Sequence, residues 1–487
     1  MQQAMRLARY LIFTSLILSF LQCGSLASRN SAKKDFGRVR AMSLASAATC
    51  AVFANGKVAC VGHTKGLTEQ FALPVKSPTA AEAEALALPA SIGQLSISNS
   101  WRGGLHACAL TLDNRVVCWG SNAQGEAGPP TEESILQKLA EKQGVPVKQL
   151  KKLRPLTAAA EIALPAQAAQ VVTGYEHSCA LTSSGEVWCW GSNVFGQLGY
   201  GRFPDGKAYE KSATPVKVTL LTPAEITAGL KAVQIACGKS HTCALLSDGN
   251  VRCWGDNNFG QAGYPPHAEG LIELHSVGTI TTAAQEGNIE IVSGEEKKTG
   301  LKVQSIAAGS DRSCAILSSG AVRCWGENRS RKLGLSQDFD KISVRNTPAS
   351  LGNVPLPPDI VRLALNDVHT CALTATGSVH CWGSNSNGAL GVPGYSVGAY
   401  GKMPPPAVKI LASGETDRVS DIAVGNDHSC ALLASGKMRC WGLAFDGQLG
   451  TGHGKKFGSA GCMNGVPYCI GDEESELPPP DVGWWGD

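Results

Sequence analysis

Seven pairs of cysteines, each pair ten residues apart, run in order along this chain of 487 residues. Cys50 goes with Cys60, Cys108 with Cys118, Cys179 with Cys189, Cys243 with Cys253, Cys314 with Cys324, Cys371 with Cys381, and Cys430 with Cys440. Each pair has one setting: C-A-L or a variant, a turn, then C-W-G. So regular a unit commits the chain to a repeat architecture, because each copy buries its apolar face only against its neighbours.

The third copy, residues 171–199, shows the parts. Val171 and Val172 begin a short apolar strand, His177 to Thr182 form a second, and Val187 to Trp190 a third. Ser183-Ser184-Gly185 make the hairpin turn between the last two, where glycine accepts positive φ. Gly196-Gln197-Leu198-Gly199 closes the unit. A fourth short strand, led by proline in Pro215–Val218 and Pro406–Ile410, lies between units; proline is tolerated where a strand starts. Four strands per unit and seven units predict an all-β, seven-bladed propeller.

Parity explains the spacing of ten. Side chains alternate along a strand, and ten is even, so both cysteines of a pair point to one face. A three-residue turn sets them directly opposite, within reach of a cross-strand disulfide. Each such bond closes a small loop, contributing about 2–3 kcal/mol in the chain-entropy treatment. The tryptophan after the second cysteine then points the other way. Trp119, Trp190, Trp254, Trp325, Trp382 and Trp441 are expected to pack between blades.

Composition fits an ordered β-rich chain: 43% hydrophobic, 17% charged, with 56 glycines. The formal net charge of +3 lacks the basic excess of a nucleic-acid binder. Eighteen cysteines argue for an oxidising compartment. The N-terminus agrees: Arg6 and Arg9 precede an apolar run from Leu11 to Leu21, and Ser25 and Ala27 suit a cleavage site, so residues 1–27 read as a secretory signal peptide. The run is about half of the roughly 20 residues that span a bilayer. Phe20-Leu21-Gln22-Cys23-Gly24 also resembles a bacterial lipid-attachment site, although Gln22 departs from the small residue expected there. Lipidation at Cys23, with cleavage before it, and a soluble mature chain both stay open. Residues 28–487 form the propeller.

H-[ST]-C-A-L-x4-G-x-V-x-C-W-G…G-Q-L-G resembles the repeat of the regulator-of-chromosome-condensation family, over roughly residues 36–487. The resemblance implies a seven-bladed propeller, and the doubled cysteines resemble exported bacterial members. Two copies depart from the pattern. The first has Val61 for the tryptophan and no histidine before Cys50. The fifth has Arg312 for that histidine and closes with Arg331-Lys332-Leu333-Gly334. The extra length of each unit falls after the closing turn, which predicts loops at one end of the ring.

The sequence suggests few candidate sites. His106, His177, His241, His369 and His428 each stand two before a cysteine. H-x-C can ligate zinc, but five equivalent positions favour a buried histidine bonded to backbone. Cys237 is left over within the ring, as a reactive thiol or a small buried hydrophobe. Cys462 and Cys469 are expected to form an eighth disulfide. The insert 131–155 reads as a short helix capped at Thr131, then a basic patch of Lys148, Lys151, Lys152 and Arg154, facing either an anionic partner or solvent.

No catalytic residue, metal or cofactor is expected. The leading expectation is a non-enzymatic, exported protein-interaction module and a monomer. It would sit at the cell surface, in the periplasm, on the outer membrane as a lipoprotein, or outside the cell. Its partner is an unknown protein met through loops on one face, without nucleic acid, and with membrane contact only through a lipid at Cys23. Three alternatives are carried: a secreted enzyme inhibitor acting through the loop face, a guanine-nucleotide-exchange-like role, and a hydrolase at the channel mouth. The hydrolase needs convergent carboxylates, which the sequence does not display. Finally, Pro478–Trp485 aligns with Pro404–Leu411, and the first blade reads as one strand short. The expected closure therefore pairs Val482–Trp485 with Val39–Leu44.

Overall fold

The computed structural model describes residues 37–64, 67, 76–77, 85–98, 105–129, 159–201, 210–265, 276–277, 281–335, 346–392, 403–451, 469–470 and 479–482. They form seven antiparallel sheets of three or four strands, numbered here as blades one to seven in chain order. The inner strands are Val39–Leu44, Ile92–Ile97, Ala168–Thr173, Ala232–Cys237, Val303–Gly309, Ile360–Leu365 and Val419–Val424. The second strands are Ala48–Phe53, His106–Thr111, His177–Thr182, His241–Leu246, Arg312–Leu317, His369–Thr374 and His428–Leu433. The third strands are Val58–His63, Val116–Gly120, Val187–Ser192, Val251–Asp256, Val322–Gly326, Val379–Gly383 and Met438–Leu443. Every second strand is buried along its whole length. That is why, after the His or Arg that opens six of them, these strands read as runs of apolar or small residues rather than alternating ones.

The cysteines of each pair are register partners in every blade. All seven pairs are bonded as the spacing predicts. Cys50 is joined to Cys60 in blade one, Cys108 to Cys118 in blade two and Cys179 to Cys189 in blade three. Cys243 is joined to Cys253 in blade four and Cys314 to Cys324 in blade five. Cys371 is joined to Cys381 in blade six and Cys430 to Cys440 in blade seven. Their Cα atoms stand 4.0–4.1 Å apart, so the parity argument describes the geometry found.

The tryptophans are buried and reach into the preceding blade. Trp190 Nε1 donates to the carbonyl of Glu126, Trp254 to Gln197, Trp325 to Gln261, Trp382 to Lys332 and Trp441 to Ala389. Each acceptor lies in the closing turn of the blade before. The last glycine of that turn must be glycine: a Cβ at Gly199 would come within 2.8 Å of the Trp254 ring, at a φ of +68°.

Around the ring each inner strand packs beside the next, and that of blade seven packs beside that of blade one. Closure differs from the sequence expectation. Asp481 bridges to Arg439, and Val482 N–H donates to the Met438 carbonyl at 2.8 Å. Asp481 and Val482 therefore join blade seven, not blade one, and the rest of the expected closing strand lies outside the described residues. Blade one is not a strand short: Lys76–Ser77 pairs with its third strand, and Ala85 bridges to Ala59. The alignment of 478–485 with 404–411 was informative all the same. Ala407 bridges to His380 in blade six, just as Asp481 bridges to blade seven. The proline-led segment, placed between units by the sequence, completes the blade that precedes it. Trp484 and Trp485 lie outside the described residues.

Candidate functional site

The five histidines are wholly buried, and each clasps the next blade. Nε2 of His106 meets Ser178 Oγ, His177 meets Thr242 Oγ1, His241 meets Ser313 Oγ, His369 meets Ser429 Oγ and His428 meets Thr49 Oγ1, all at 2.7–2.9 Å. The partner is a hydroxyl of the neighbouring blade, which corrects the expected bond to backbone. Three of those hydroxyls also donate their only proton to a closing-turn carbonyl: Ser178 to Glu126, Ser313 to Gln261, Ser429 to Ala389. The imidazole must then donate from Nε2, and with Nδ1 buried and unpartnered His106, His241 and His369 are neutral with the proton on Nε2. Burial drives all five histidines down to about 3. Arg312 takes over this duty in blade five, donating to Thr370 Oγ1 at 3.0 Å and to the His369 carbonyl at 2.5 Å.

The inner strands line a central cavity of about 260 Å³. Side-chain amides knit part of its wall. Gln170 donates to and accepts from the backbone of Ile235, and Gln234 does the same with Ile306, at 2.9–3.0 Å. At one end of this cavity the turns between inner and second strands converge. The ends of the third strands, which lead into the closing turns, hydrogen-bond to them, as in Ser192 N–H to Glu176 O and Glu327 N–H to Asp311 O, so the closing turns share that end. Antiparallel topology puts the connections from third to outer strand there as well.

This mouth is crossed by Tyr175 of blade three, whose hydroxyl donates to Asp367 Oδ1 of blade six at 2.6 Å. Lys239 Nζ stands 5.7 Å from the Tyr175 ring centre. Burial, then the Asp367 charge, raises the Tyr175 pKa. Lys332, the departure noted in the fifth closing turn, pairs with Glu327 at 2.5 Å and donates to the Asp367 carbonyl at 2.8 Å. Asp256, Asp311 and Asp427 complete the rim. Burial raises the pKa of all three, and among the described residues none makes an ion pair within 4.0 Å. These carboxylates come from blades four, five and seven, and nothing local in the sequence groups them. The only available signal was position: Asp311 and Asp427 directly precede their blades' second strands, and Asp256 ends its blade's third strand. Exposed apolar side chains on the closing turns, Val194, Phe259 and Phe445, frame the same end.

Among the described residues one group of soft ligands gathers: His177, Cys179 and Cys237, with their ligand atoms within 4.8 Å of one another. Cys179 is bonded to Cys189, so no three-ligand metal centre is available in this state. The signal segment with Cys23, the insert 131–155 with Lys148, Lys151, Lys152 and Arg154, and Cys462 lie outside the described residues. The expected bond between Cys462 and Cys469 falls there with it. The backbone of Cys469 is described and pairs with Leu443.

A family model described as the RCC1-like domain matches residues 51–464. The chain belongs to that family. Human E3 ubiquitin-protein ligase HERC2 is 28% identical over 331 residues, which is 68% of this chain and 6% of HERC2. The Arabidopsis thaliana ultraviolet-B receptor UVR8 is 26% identical over 358 residues, 72% of this chain and 66% of the receptor. The match thus spans a small part of the first relative and just under two thirds of the second. Among solved structures, Prp20p of Saccharomyces cerevisiae gives a TM-score of 0.59 at 19% identity, covering 92% of this chain and 88% of that one. Human WBSCR16 gives 0.56 at 21% identity, covering 84% and 86%. At these identities the likeness establishes the RCC1-like β-propeller fold.

Proposed function

We propose that this RCC1-like propeller is a non-enzymatic, exported protein-interaction module whose partner docks on the channel mouth with a cationic side chain. The observation that carries the proposal is that Asp256, Asp311 and Asp427 are buried or half-buried without an ion-pair partner. Lys239 acts on Asp256 and Asp311, and Lys332 on Asp311, only from beyond contact distance, and a buried carboxylate without a cation in contact costs free energy that an incoming lysine or arginine would recover. The apolar rim of Val194, Phe259 and Phe445 would supply the desolvated surround that makes such a contact strong. The solved structure of Prp20p was described with its binding to Gsp1p and histones, so a propeller of this fold with protein partners has precedent. Export rests on the N-terminal signal pattern and the seven cysteine pairs.

The test is chemical crosslinking of the tagged full chain in its own cells, with the double variant Asp311→Asn/Asp427→Asn beside it. An opposite-end control, Ile226→Asp, accompanies them. A partner lost from the double variant and kept by the control supports the mouth. Equal capture by all three chains removes it. Tagged chain recovered only from the cytosol removes export.

The same carboxylates favour a second reading. A carboxyl group whose pKa is raised by burial is suited to act as a general acid, so a hydrolase at the mouth has an observation behind it. Turnover of a broad substrate panel that disappears in Asp311→Asn would establish that reading against the first.

A further inference from the structure

In blades two, three, four and six the first cysteine of the pair faces the neighbouring blade. Cys108 Sγ lies 3.4 Å from Ser178 Oγ, Cys243 Sγ 3.7 Å from Ser313 Oγ, and Cys371 Sγ 3.8 Å from Ser429 Oγ. The side chain near the end of the neighbour's inner strand pairs with that same hydroxyl position. In six blades this residue is Leu44, Ile97, Thr173, Ala308, Leu365 or Val424, the register partner of the hydroxyl position in the second strand. In blade four it is Cys237. This is the one junction among the described residues where a free thiol meets a disulfide.

The geometry is close. The sulfurs of Cys237 and Cys179 and a ring nitrogen of His177 lie within 4.8 Å of one another. Thr242 Oγ1 is their common neighbour, 3.6 Å from Cys237 Sγ, 3.8 Å from Cys179 Sγ and 2.9 Å from His177 Nε2. His177 Nδ1 is buried without a hydrogen-bond partner. Cys237 also lines the central cavity, so base and water can reach it from that side.

We propose that Cys237 is an internal exchange partner for the Cys179–Cys189 disulfide. The Cys237 thiolate attacks Cys179 Sγ, a Cys237–Cys179 bond forms, and the Cys179–Cys189 bond breaks. The electron pair leaves on Cys189, which takes up the proton that Cys237 gave to solvent. One disulfide is exchanged for another, so no oxidant or reductant is consumed. The staple inside blade three becomes a cross-link between blades three and four, and Cys189 becomes a free thiol. Thr242, beside both sulfurs, is placed to hydrogen-bond the attacking thiolate. Burial holds the Cys237 thiol near 12, which keeps the exchange slow at neutral pH and makes it base-driven.

The test uses the full chain, purified under oxidising conditions, held at pH 7, 8, 9 and 10, alkylated with N-ethylmaleimide at intervals and mapped by peptide mass spectrometry without reduction. Alkylation at Cys189 and the Cys179–Cys237 cross-linked peptide should appear together. Both should rise about tenfold per pH unit, following the thiolate fraction, while the other six pairs stay intact. In Cys237→Ala, a residue already used at this position by blade five, Cys189 should stay unlabelled. The proposal is overturned if only Cys237 is alkylated in the native chain. It is equally overturned if Cys189 is labelled in Cys237→Ala, or if all seven pairs scramble at one rate.

Discussion

Blades three and four meet through a full set of contacts, and blade one meets its neighbours through half of one. Between blades three and four, His177 clasps Thr242 and Trp254 donates to the closing turn. Blade one lacks both things a blade gives to its neighbours. It has Ala48 where the histidine should be and Val61 where the tryptophan should be, both fully buried. It keeps what a blade receives, since Thr49 Oγ1 pairs with His428 Nε2 of blade seven at 2.9 Å. The deficiency at the junction with blade two is matched: Ala107 occupies the hydroxyl position that Ala48 could not have used. A buried hydroxyl without its partner would cost about 1–3 kcal/mol, so losing both members is less harmful than losing one. The difference teaches that these junctions are built as pairs of residues 60–72 apart in sequence between consecutive blades and 379 apart at the seam, and that the seam between blades seven and one rests on a clasp without a tryptophan.

Acid should give the largest effect and should sort the junctions by chemistry. The clasp histidines sit at about 3 when folded, against 6.5 when free. Their folded pKa is depressed, so the unfolded chain binds more protons between these values. Their stabilisation is complete above pH 6.5 and drains away as pH falls toward 3. Asp256, Asp311 and Asp427, whose pKa burial raises, work in the opposite sense, and the five histidines outnumber them. Stability measured by denaturant titration should therefore fall steeply from pH 6 to pH 4. Hydrogen exchange should rise first at the five histidine junctions, with the blade one–two and blade five–six junctions lagging. A flat profile from pH 7 to pH 4 would show that the clasps do not titrate as argued.

Truncating a tryptophan comes next. Trp254→Ala removes a fully buried ring and leaves the Gln197 carbonyl without its donor, which should cost about 3–5 kcal/mol. Val61→Ala, at the corresponding place in blade one, should cost about 2 kcal/mol or less, because fewer buried carbons are lost. Equal losses in the two variants would erase the distinction between strong and weak junctions.

Much of this arrangement was legible in the sequence because it is carried by local periodicity. The ten-residue spacing and the C-W-G step defined second and third strands that match the structure to within two residues in the third copy, and parity placed the tryptophans between blades. What failed was whatever depends on partners far apart in sequence. Nothing near Pro478 says whether a proline-led strand completes the blade before it or the blade after it. The decisive pairing, Val482 to Met438, is a contact rather than a pattern. The histidine clasp was half legible. H-S-C and H-T-C place a hydroxyl after four of the five histidines, but the bonded hydroxyl belongs to the next copy. The mouth was the least legible, because Tyr175 and Asp367 are 192 residues apart.

The seam offers a sharper contrast at smaller scale. His177→Ala and His428→Ala remove the same ring from the same kind of site, and each should cost about 2–5 kcal/mol as a large-to-small core change. Their consequences should differ in place. Blades three and four stay covalently consecutive, so His177→Ala should loosen one junction only. Blades seven and one are distant in sequence and are held by packing and this clasp, so His428→Ala should expose the inner strands of both to hydrogen exchange. Identical exchange patterns in the two variants would mean the seam is no weaker than any other junction.

The smallest effect is also the most specific, because it adds a contact instead of removing one. If junctions are built as pairs, the missing clasp between blades one and two can be restored. Ala48→His supplies the ring and Ala107→Ser the hydroxyl. Space is the obstacle: beside His177, His241 and His428, the residue three earlier is Gly174, Gly238 or Gly425, and a Cβ there would come within 2.1 Å of the ring. Blade one has Ala45 at that place, so Ala45→Gly completes the set. Alone, Ala48→His should destabilise by burying an unpaired imidazole, and Ala107→Ser by burying an unpaired hydroxyl. Together in the Ala45→Gly background they should recover those losses, with a coupling of about 1 kcal/mol in a double-mutant cycle, the net worth of one buried hydrogen bond. The restored chain should also bind one more proton on acid unfolding, steepening the loss of stability below pH 6.5. Additive losses, with no coupling and no added proton, would show that the histidine and hydroxyl act separately and that the pairing at the other five junctions is incidental.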